Sequence, residues 1–455
     1  MDIYKPVMPM VALSIAGSDS SAGAGIQADL KTFSALGVYG CTAITAITAQ
    51  NTREVTRVFD LPDDIIRKQI QSIMSDIPLN AIKIGMVYRK EIIQSIHDSL
   101  MRTKIPIVLD PIFAAGSGSK LLLDDAFESL VSELVPVATL ITPNLMEAEK
   151  LADIKIKSEG DAIEAARKIR KLGAKSVIIK GGHSNTNKVT DILFDRKETV
   201  HRLSNTRIAV KESHGSGCNF SAGITALLAR GFQLVDACKI ANQYVHKSIE
   251  NTLKLGKGLV VTNPISHLYL DASRYHVLKE LQLATIEIES MNGIAELLPE
   301  TQSNIAYGLP DAVDISDIAG VKGRIVRIGK IARPVSNIEF GASRHVASAV
   351  LAYMTINRSM RCAMNIRYDK KLLKIAKRLF EISEYQRITE PVGLKKEEGK
   401  TIFWGIKTAL KNNPAAEIVY HKGEVGKEPM MMIFGTEPKD VLKKIKKLLN
   451  NIEKR

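Results

Sequence analysis

Residues 214–218 read His214-Gly215-Ser216-Gly217-Cys218, and an apolar-periodic run over 219–228 follows directly. The first turn of a helix carries N–H groups without intrahelical acceptors, and the helix dipole adds positive potential at that end. Gly215, Ser216 and Gly217 at such a turn make an anion hole. Cys218 would feel the same field, which lowers a thiol pKa, so it is a candidate base or nucleophile. Taken alone, the pattern also fits a glycine-rich loop entering a core helix. The question is whether other residues supply partners for an anion there.

Oxygen donors are the first partners to seek. Asp110 closes an apolar run, and Asn144 and Glu147 follow in Thr142-Pro143-Asn144-Leu145-Met146-Glu147. Mg²⁺ is commonly held by one or two carboxylates plus substrate phosphates. A helix-opening capping box accounts equally well for Asn144 and Glu147. Lys180 precedes Gly181-Gly182 and either neutralises phosphate or extends from a strand end to solvent. Gly23-Ala24-Gly25-Ile26-Gln27-Ala28 matches a loose dinucleotide fingerprint, but the second strand ends in Gln50-Asn51-Thr52 and not in an acid for a ribose. A glycine-rich loop over a small polar substrate is the better reading, with Asp29 and Gln50 as polar groups for a heterocycle. No GxxxxGK[ST] is present, so nucleotide phosphates need another device.

Short apolar runs alternate with amphipathic ones through the first half. Strands are expected at 11–17, 42–49, 81–85, 106–110, 138–142 and 176–180, and helices at 26–36, 63–75, 90–102, 125–134 and 161–171. Such alternation predicts an α/β fold, a mainly parallel sheet with helices on both faces. Ligands of open sheets lie beyond the carboxyl ends of the strands. Those ends carry Gly17, Gln50, Met86, Asp110, Asn144 and Lys180. The alternation stops near 253–264, which divides the chain into domains 1–268 and 273–455. The second domain reads as mixed α/β, with helices at 273–283, 344–357 and 370–381, strands at 323–328 and 417–420, a loop over 308–320 and a basic terminal helix. Arg324, His345, Arg367 and Lys427 stand beside glycines or in short polar breaks, and arginine beside glycine suits a pyrophosphate.

The chain has 455 residues, 45% of them apolar, and a net charge of +14. Much of that charge lies in amphipathic segments such as 370–378 and 441–449, which read as solvated helix faces. With aromatics at 5% a nucleic-acid platform is not expected. Cys41, Cys218, Cys238 and Cys362 form no CxxC pair, which argues for a reducing cytoplasm and against a zinc or disulfide framework. Residues 8–17 read as a buried strand and not as a signal peptide, and no run is long enough to span a bilayer.

Together these pieces resemble the ribokinase superfamily, and within it the hydroxymethylpyrimidine/phosphomethylpyrimidine kinases of thiamine biosynthesis. The resemblance rests on residues 15–33, Ala49-Gln50-Asn51-Thr52, Lys83-Ile84-Gly85-Met86, Leu109-Asp110-Pro111, Thr142-Pro143-Asn144, Lys180-Gly181-Gly182-His183 and the 214–218 loop. It implies a ribokinase-like first domain that uses ATP and Mg²⁺. Gly17, Asp29, Gln50 and Met86 would line the pyrimidine pocket, Asp110 and Glu147 would serve the metal, and Lys180 and Asn144 the ATP phosphates. Cys218 stands where the wider superfamily has an aspartate base. Asn219 departs from the pattern, where threonine is expected.

The second half resembles an archaeal-type thiamine-phosphate synthase domain through 323–327, 340–347, 363–368, 426–430 and Arg387-Ile388-Thr389-Glu390-Pro391. The implied reaction joins the pyrimidine diphosphate to a thiazole phosphate and releases pyrophosphate. Arg324, Arg367 and Lys427 would stabilise the leaving group, and His345 would orient it or the thiazole phosphate. The expectation is a bifunctional cytoplasmic enzyme working on small molecules as a homo-oligomer, without nucleic acid or membrane. Two alternatives stand beside it: a pyridoxal-type vitamin kinase, and a kinase whose second half only senses thiamine phosphate.

Overall fold

The computed structural model describes residues 10–114, 118–181, 187–209, 213–391, 400–424 and 427–452, which fall into two compact units, Met1–Leu268 and Tyr269–Arg455. In the first unit the strands are β1 (Val11–Asp19), β2 (Tyr39–Gln50), β3 (Val55–Asp60), β4 (Ala81–Ile84), β5 (Ile107–Leu109), β6 (Leu140–Ile141), β7 (Val177–Ile179), β8 (Lys188–Phe194) and β9 (Val200–Thr206). They form one sheet in the order β3-β2-β1-β4-β5-β6-β7-β8-β9. Strands β2, β1, β4, β5, β6 and β7 run parallel. Strand β3 and the β8–β9 hairpin join antiparallel at the two edges. The expected mainly parallel α/β sheet is therefore present.

The central strands are continuous apolar runs because helices cover both faces. Ile15, Ile82, Ile84 and Leu109 meet one set of helices, and Ala12, Val108, Leu140 and Ile178 meet the other. On this second face lies the helix Ser216–Ala229, of whose 14 residues 11 are buried, and it packs on Leu234–Glu250. Burial on nearly every side explains why its sequence is apolar and small throughout and lacks an amphipathic stripe. Short strands β10 (Ser213–His214) and β11 (Val260–Val261) pair to hold the segment leading into it.

The helix Ser266–Ser290, most of which belongs to the second unit, starts earlier and runs longer than the expected 273–283. The strands of this unit are β12 (Ile305–Gly308), β13 (Ile318–Val321), β14 (Ile325–Ile328), β15 (Ile331–Pro334), β16 (Ile338–Phe340), β17 (Cys362–Arg367), β18 (Ile382–Glu384), β19 (Ile418–His421) and β20 (Met430–Gly435). Seven of them make a mixed sheet in the order β16-β13-β12-β17-β20-β19-β18, while β14 and β15 form a separate hairpin. Strand β13 overlaps the end of the expected loop 308–320, and its residues 318–321 are wholly buried. Side chains alternate between two cores, as a strand's period of two requires. Met364, Ile366, Ile418 and Tyr420 meet the helices Ser266–Ser290, Lys370–Leu379 and Pro438–Ile452. Ala306, Ala363, Val419 and Met432 meet the helices Arg344–Met354 and Lys400–Asn412.

Candidate functional site

In the first unit the loops after the parallel strands enclose a cavity of about 820 Å³. Gly17, Gln50, Met86, Asp110, Asn144, Glu147, Lys180, Gly215, Ser216, Gly217 and Cys218 all line it. Two glycine loops meet at its floor. Gly215 has a φ of +91°, and a Cβ there would lie 1.9 Å from the Gly23 carbonyl oxygen. A Cβ on Gly23 would lie 2.2 Å from the His214 ring. Only glycine allows this approach, and it lets the left-handed Gly215 turn the chain into the helix Ser216–Ala229. The Lys180 ammonium stands 3.3 Å from where a Gly217 Cβ would be. A cation at the positive end of a helix dipole is electrostatically misplaced unless an anion lies beside both.

Lys180 is paired with Asp110 at 2.9 Å, and Asp110 also accepts from Thr142 Oγ1 at 3.1 Å and Ser221 Oγ at 3.0 Å. Burial opposes the charge on Lys180, but Asp110 and Glu147 outweigh it and raise its pKa. Asn144 and Glu147 do form a capping box, with Glu147 N–H donating to Asn144 Oδ1 at 2.9 Å and Asn144 N–H to Glu147 Oε2 at 2.7 Å. They open the helix Leu145–Ala152 and line the cavity at the same time. Burial pushes the Glu147 carboxyl up to about 7, against Lys180 and reinforced by Asp110. Two carboxyls on one wall, only one of them in an ion pair, suit a divalent cation that arrives with phosphates. Among the described residues no cluster of three acidic, His or Cys side chains exists to hold a metal by itself.

Two expectations need correction. Asp29 is fully buried and does not line the cavity; its carboxylate is taken by Lys83 Nζ and by Ser14 Oγ at 2.6 Å. Lys83, itself buried, lines the cavity, so Asp29 acts on that space through Lys83 and not by contact with a heterocycle. The Cys218 thiol is likewise not lowered: burial pushes it up to about 11, with Lys83 the largest opposing influence. In this buried turn desolvation exceeds the helix field.

Lys83 belongs to one of the stretches that carry the resemblance but has no role in it, and its own signal is a lone charge inside an apolar strand. Asp19 and His214 form a second overlooked group. His214 Nε2 lies 2.9 Å from Asp19 Oδ2 and 3.1 Å from Gln50 Nε2, tying Gln50 to both glycine loops. Burial opposes the Asp19 charge, but bonds from His214, Ser21 and Ala24 outweigh it and lower its pKa. Asn219 spends its amide on Thr32 Oγ1 at 3.2 Å and Thr262 Oγ1 at 2.7 Å, and lies off the cavity. Gly182, His183 and Gly426 lie outside the described residues.

In the second unit, one end of the seven-stranded sheet gathers the candidates. Arg324 donates to the Thr301 carbonyl, and Glu428, next to Lys427, accepts from Thr301 N–H at 3.0 Å and Thr301 Oγ1 at 2.7 Å. Arg367 ends β17 opposite Met430. His345 sits in the first turn of Arg344–Met354; Ser343 before it has a φ of +60° and packs against Gly320, 3.0 Å from where its Cβ would be. All four side chains belong to exposed residues. Behind them the Asn365 side-chain oxygen accepts from Asn304 N–H at 2.7 Å, and its amide donates to the Gln302 carbonyl at 3.1 Å, fixing the strand ends.

The same end carries His421, buried, its Nδ1 accepting from Gly423 N–H at 3.1 Å. Burial, then the charge of Arg387, lowers its pKa to about 4. An unfolded His titrates near 6.5. Between pH 4 and 6.5 the unfolded chain binds a proton that the folded chain does not, so stability rises with pH across that window and is lost as pH falls through it. His421 is expected to contribute up to about 3 kcal/mol to this slope. Trp404, the single tryptophan, lies edge-on to Tyr385 at 6.2 Å in this unit. Its fluorescence in urea titrations at pH 4.5 and 7 should show the loss, and His421→Gln should flatten it; an unchanged slope refutes the assignment.

A family model described as phosphomethylpyrimidine kinase matches residues 19–263, and one described as thiamine-phosphate synthase ThiN matches 280–447. The chain is 33% identical to the bifunctional thiamine biosynthesis protein ThiDN of Methanocaldococcus jannaschii, over 96% of this chain and 97% of that one. It is 47% identical to a hydroxymethylpyrimidine/phosphomethylpyrimidine kinase of Rhizobium meliloti, over 58% of this chain and 98% of the relative. Among solved structures, an ADP complex of Bacillus subtilis pyridoxal kinase is similar with a TM-score of 0.54 and 38% identity, covering 58% of this chain and 99% of that one.

Proposed function

This chain belongs to the phosphomethylpyrimidine kinase family and carries a thiamine-phosphate synthase domain behind the kinase, which makes it a bifunctional enzyme of thiamine biosynthesis; on that premise we propose what each site does and which residues do it. The kinase, assigned to 1–268, transfers the terminal phosphoryl of ATP to the hydroxymethyl group of a pyrimidine and then to the resulting monophosphate. The observation that carries this is the Lys180 ammonium beside the N-terminus of the helix bearing Cys218, in one cavity with Gln50 and Met86.

Gln50 and Met86, with Gly17 leaving room for the Met86 thioether, would hold the heterocycle. The alcohol then faces Cys218, which takes its proton. Amides of Gly215, Ser216 and Gly217 and the Lys180 ammonium would bind the transferred group and need no rearrangement as charge develops. Asn144 would donate to the nucleotide phosphates. Asp110 and Glu147 would hold Mg²⁺, which when bound would neutralise phosphate charge. The cytoplasm is the proposed compartment, which four unpaired, buried cysteines suit. Among the described residues no helix is long and apolar enough to cross a membrane.

In the synthase, assigned to 273–455, Arg324, Arg367 and Lys427 would bind the leaving pyrophosphate and His345 would orient it or the thiazole phosphate. Their convergence at one sheet end supports this. The test is the product formed from hydroxymethylpyrimidine, ATP, Mg²⁺ and thiazole phosphate, with pyridoxal offered in parallel. Thiamine phosphate is expected; a preference for pyridoxal, or tight binding of thiamine phosphate without turnover, overturns the respective half. Arg324→Ala and His345→Ala should each cut synthase kcat/KM about 10- to 1000-fold and leave kinase turnover intact, since each removes charge-assisted bonds to a developing anion. Wild-type synthase rates in both would show other residues carry the reaction.

A further inference from the structure

The 387–391 segment has no role in the scheme above, yet it holds an unpaired cation. Arg387 Nε is buried with no hydrogen-bond partner, and Arg387 makes no ion pair among the described residues. Buried guanidinium N–H groups are nearly always paired, so an orphan of this kind marks a missing acceptor. Its charge bears on two neighbours, His421 and Tyr385. The two rings lie 5.1 Å apart, brought together by the parallel pairing of β18 with β19.

Each neighbour offers a proton. Gly423 N–H donates to His421 Nδ1, so a neutral imidazole must carry its hydrogen on Nε2. Burial raises the Tyr385 hydroxyl out of the ordinary phenol range, so it too stays protonated. Glu390 is the nearby acid, and it accepts from Thr401 Oγ1. Position matters as much. His421 follows Val419 with strand period two, Tyr385 follows Ser383, and Ser383 Oγ bonds to the Ala409 carbonyl, so both rings face the Arg344–Met354 and Lys400–Asn412 side. By the same alternation Arg367 and Asn365 share that face with Ala363, at the end where His345 opens its helix.

We propose that Arg387, His421 Nε2–H and the Tyr385 hydroxyl form a receptor for the phosphate monoester of the acceptor substrate, distinct from the Arg324, Arg367 and Lys427 set that meets the leaving pyrophosphate. Three convergent donors select a small anion, and the guanidinium fork matches phosphate oxygens. The edge-on rings of Tyr385 and Trp404 give an apolar wall for the ester's heterocycle. Phosphate at one place and pyrophosphate at another would set the two reactants in line.

The inference rests on the synthase reading, and its test separates the two. In the full chain, Arg387→Gln and Tyr385→Phe are assayed with thiazole phosphate varied at saturating pyrimidine diphosphate, then the reverse, with Trp404 emission confirming the fold. KM for thiazole phosphate should rise about 10- to 100-fold in Arg387→Gln and less in Tyr385→Phe, with kcat and the other KM little changed. Arg387→Lys, which keeps charge but loses the fork, should recover only part. A rise confined to the pyrimidine diphosphate, or no rise in either, overturns the assignment. Calorimetric binding of thiazole phosphate alone decides the matter even if wild-type protein makes no product: binding lost in Arg387→Gln supports the receptor, and equal binding in both removes it.

Discussion

Lys83→Met is expected to destabilise the kinase unit by about 3–5 kcal/mol and to abolish its turnover, because it leaves the Asp29 carboxylate buried without its cation. Burial is the largest influence on Asp29 and raises its pKa, and Lys83 is the main force opposing it. Conversely, Lys83 is held well above the ordinary ammonium range: burial lowers it, but Asp29, Cys218 and Asp110 more than compensate. In the variant the carboxyl climbs further, so the folded state binds a proton that the unfolded state, titrating near 3.9, does not. Stability of the variant must then fall as pH rises, and the loss should be larger at pH 8 than at pH 5. Urea unfolding followed by circular dichroism at both pH values measures it. The double variant Asp29→Leu with Lys83→Met should regain most of the stability, since an apolar pair can replace a buried ion pair. If it folds and still lacks kinase turnover, the Lys83 charge serves the cavity as well as the core. A single variant within about 1 kcal/mol of wild type at both pH values would show that the pair is not what it looks like.

The same pair marks a limit of what the sequence alone can display. Gln50, Asp110, Asn144 and Lys180 were legible because buried parallel strands leave polar side chains only at their carboxyl ends. Asp29 resembles a substrate contact in the sequence because a sequence gives the type of a charge and not its depth, and its partner lies 54 residues away. The sequence puts Cys218 on the right turn but suggests the wrong sign of shift, since its burial, opposed by Lys83 and reinforced by the charges of Asp29 and Asp110, is a three-dimensional fact. Asn144 and Glu147 presented a choice between cap and ligand that the fold does not force, because a cap at a cavity wall serves both. In the second unit the motifs Arg324, His345 and Arg367 were visible as short islands. The full length of the helix Ser266–Ser290, beyond its 273–283 centre, and the buried strand β13 are not, for their periodicity is blurred by a mostly exposed face in one case and glycine in the other. His421 and Arg387 become neighbours only through pairing of β18 with β19, which no local pattern reports.

Cys218→Ala should lower kinase kcat about 10²- to 10⁴-fold, the usual contribution of a positioned base, while thiamine phosphate formation from supplied pyrimidine diphosphate continues at the wild-type rate. The side chain is small and its removal from a well-packed turn leaves the Gly215–Gly217 amides and Lys180 in place. The pH profile distinguishes a base from a packing role. With the thiol pushed up to about 11, only about one molecule in 10⁴ carries a thiolate at pH 7. If that thiolate accepts the alcohol's proton, kcat/KM should climb about tenfold per pH unit between pH 6 and 9. The climb should vanish in Cys218→Ala, whose residual rate reflects positioning by the amides and the lysine alone. A flat wild-type profile, or an alanine variant that keeps full kinase turnover, removes Cys218 from proton transfer. Phosphoryl transfer tolerates so weak a base because its transition state is loose, and the proton need leave only as the new P–O bond forms. Lys83 then has a function beyond the core: it is the largest influence opposing the burial of the thiol, so charge on Lys83 affects how much thiolate the site can offer.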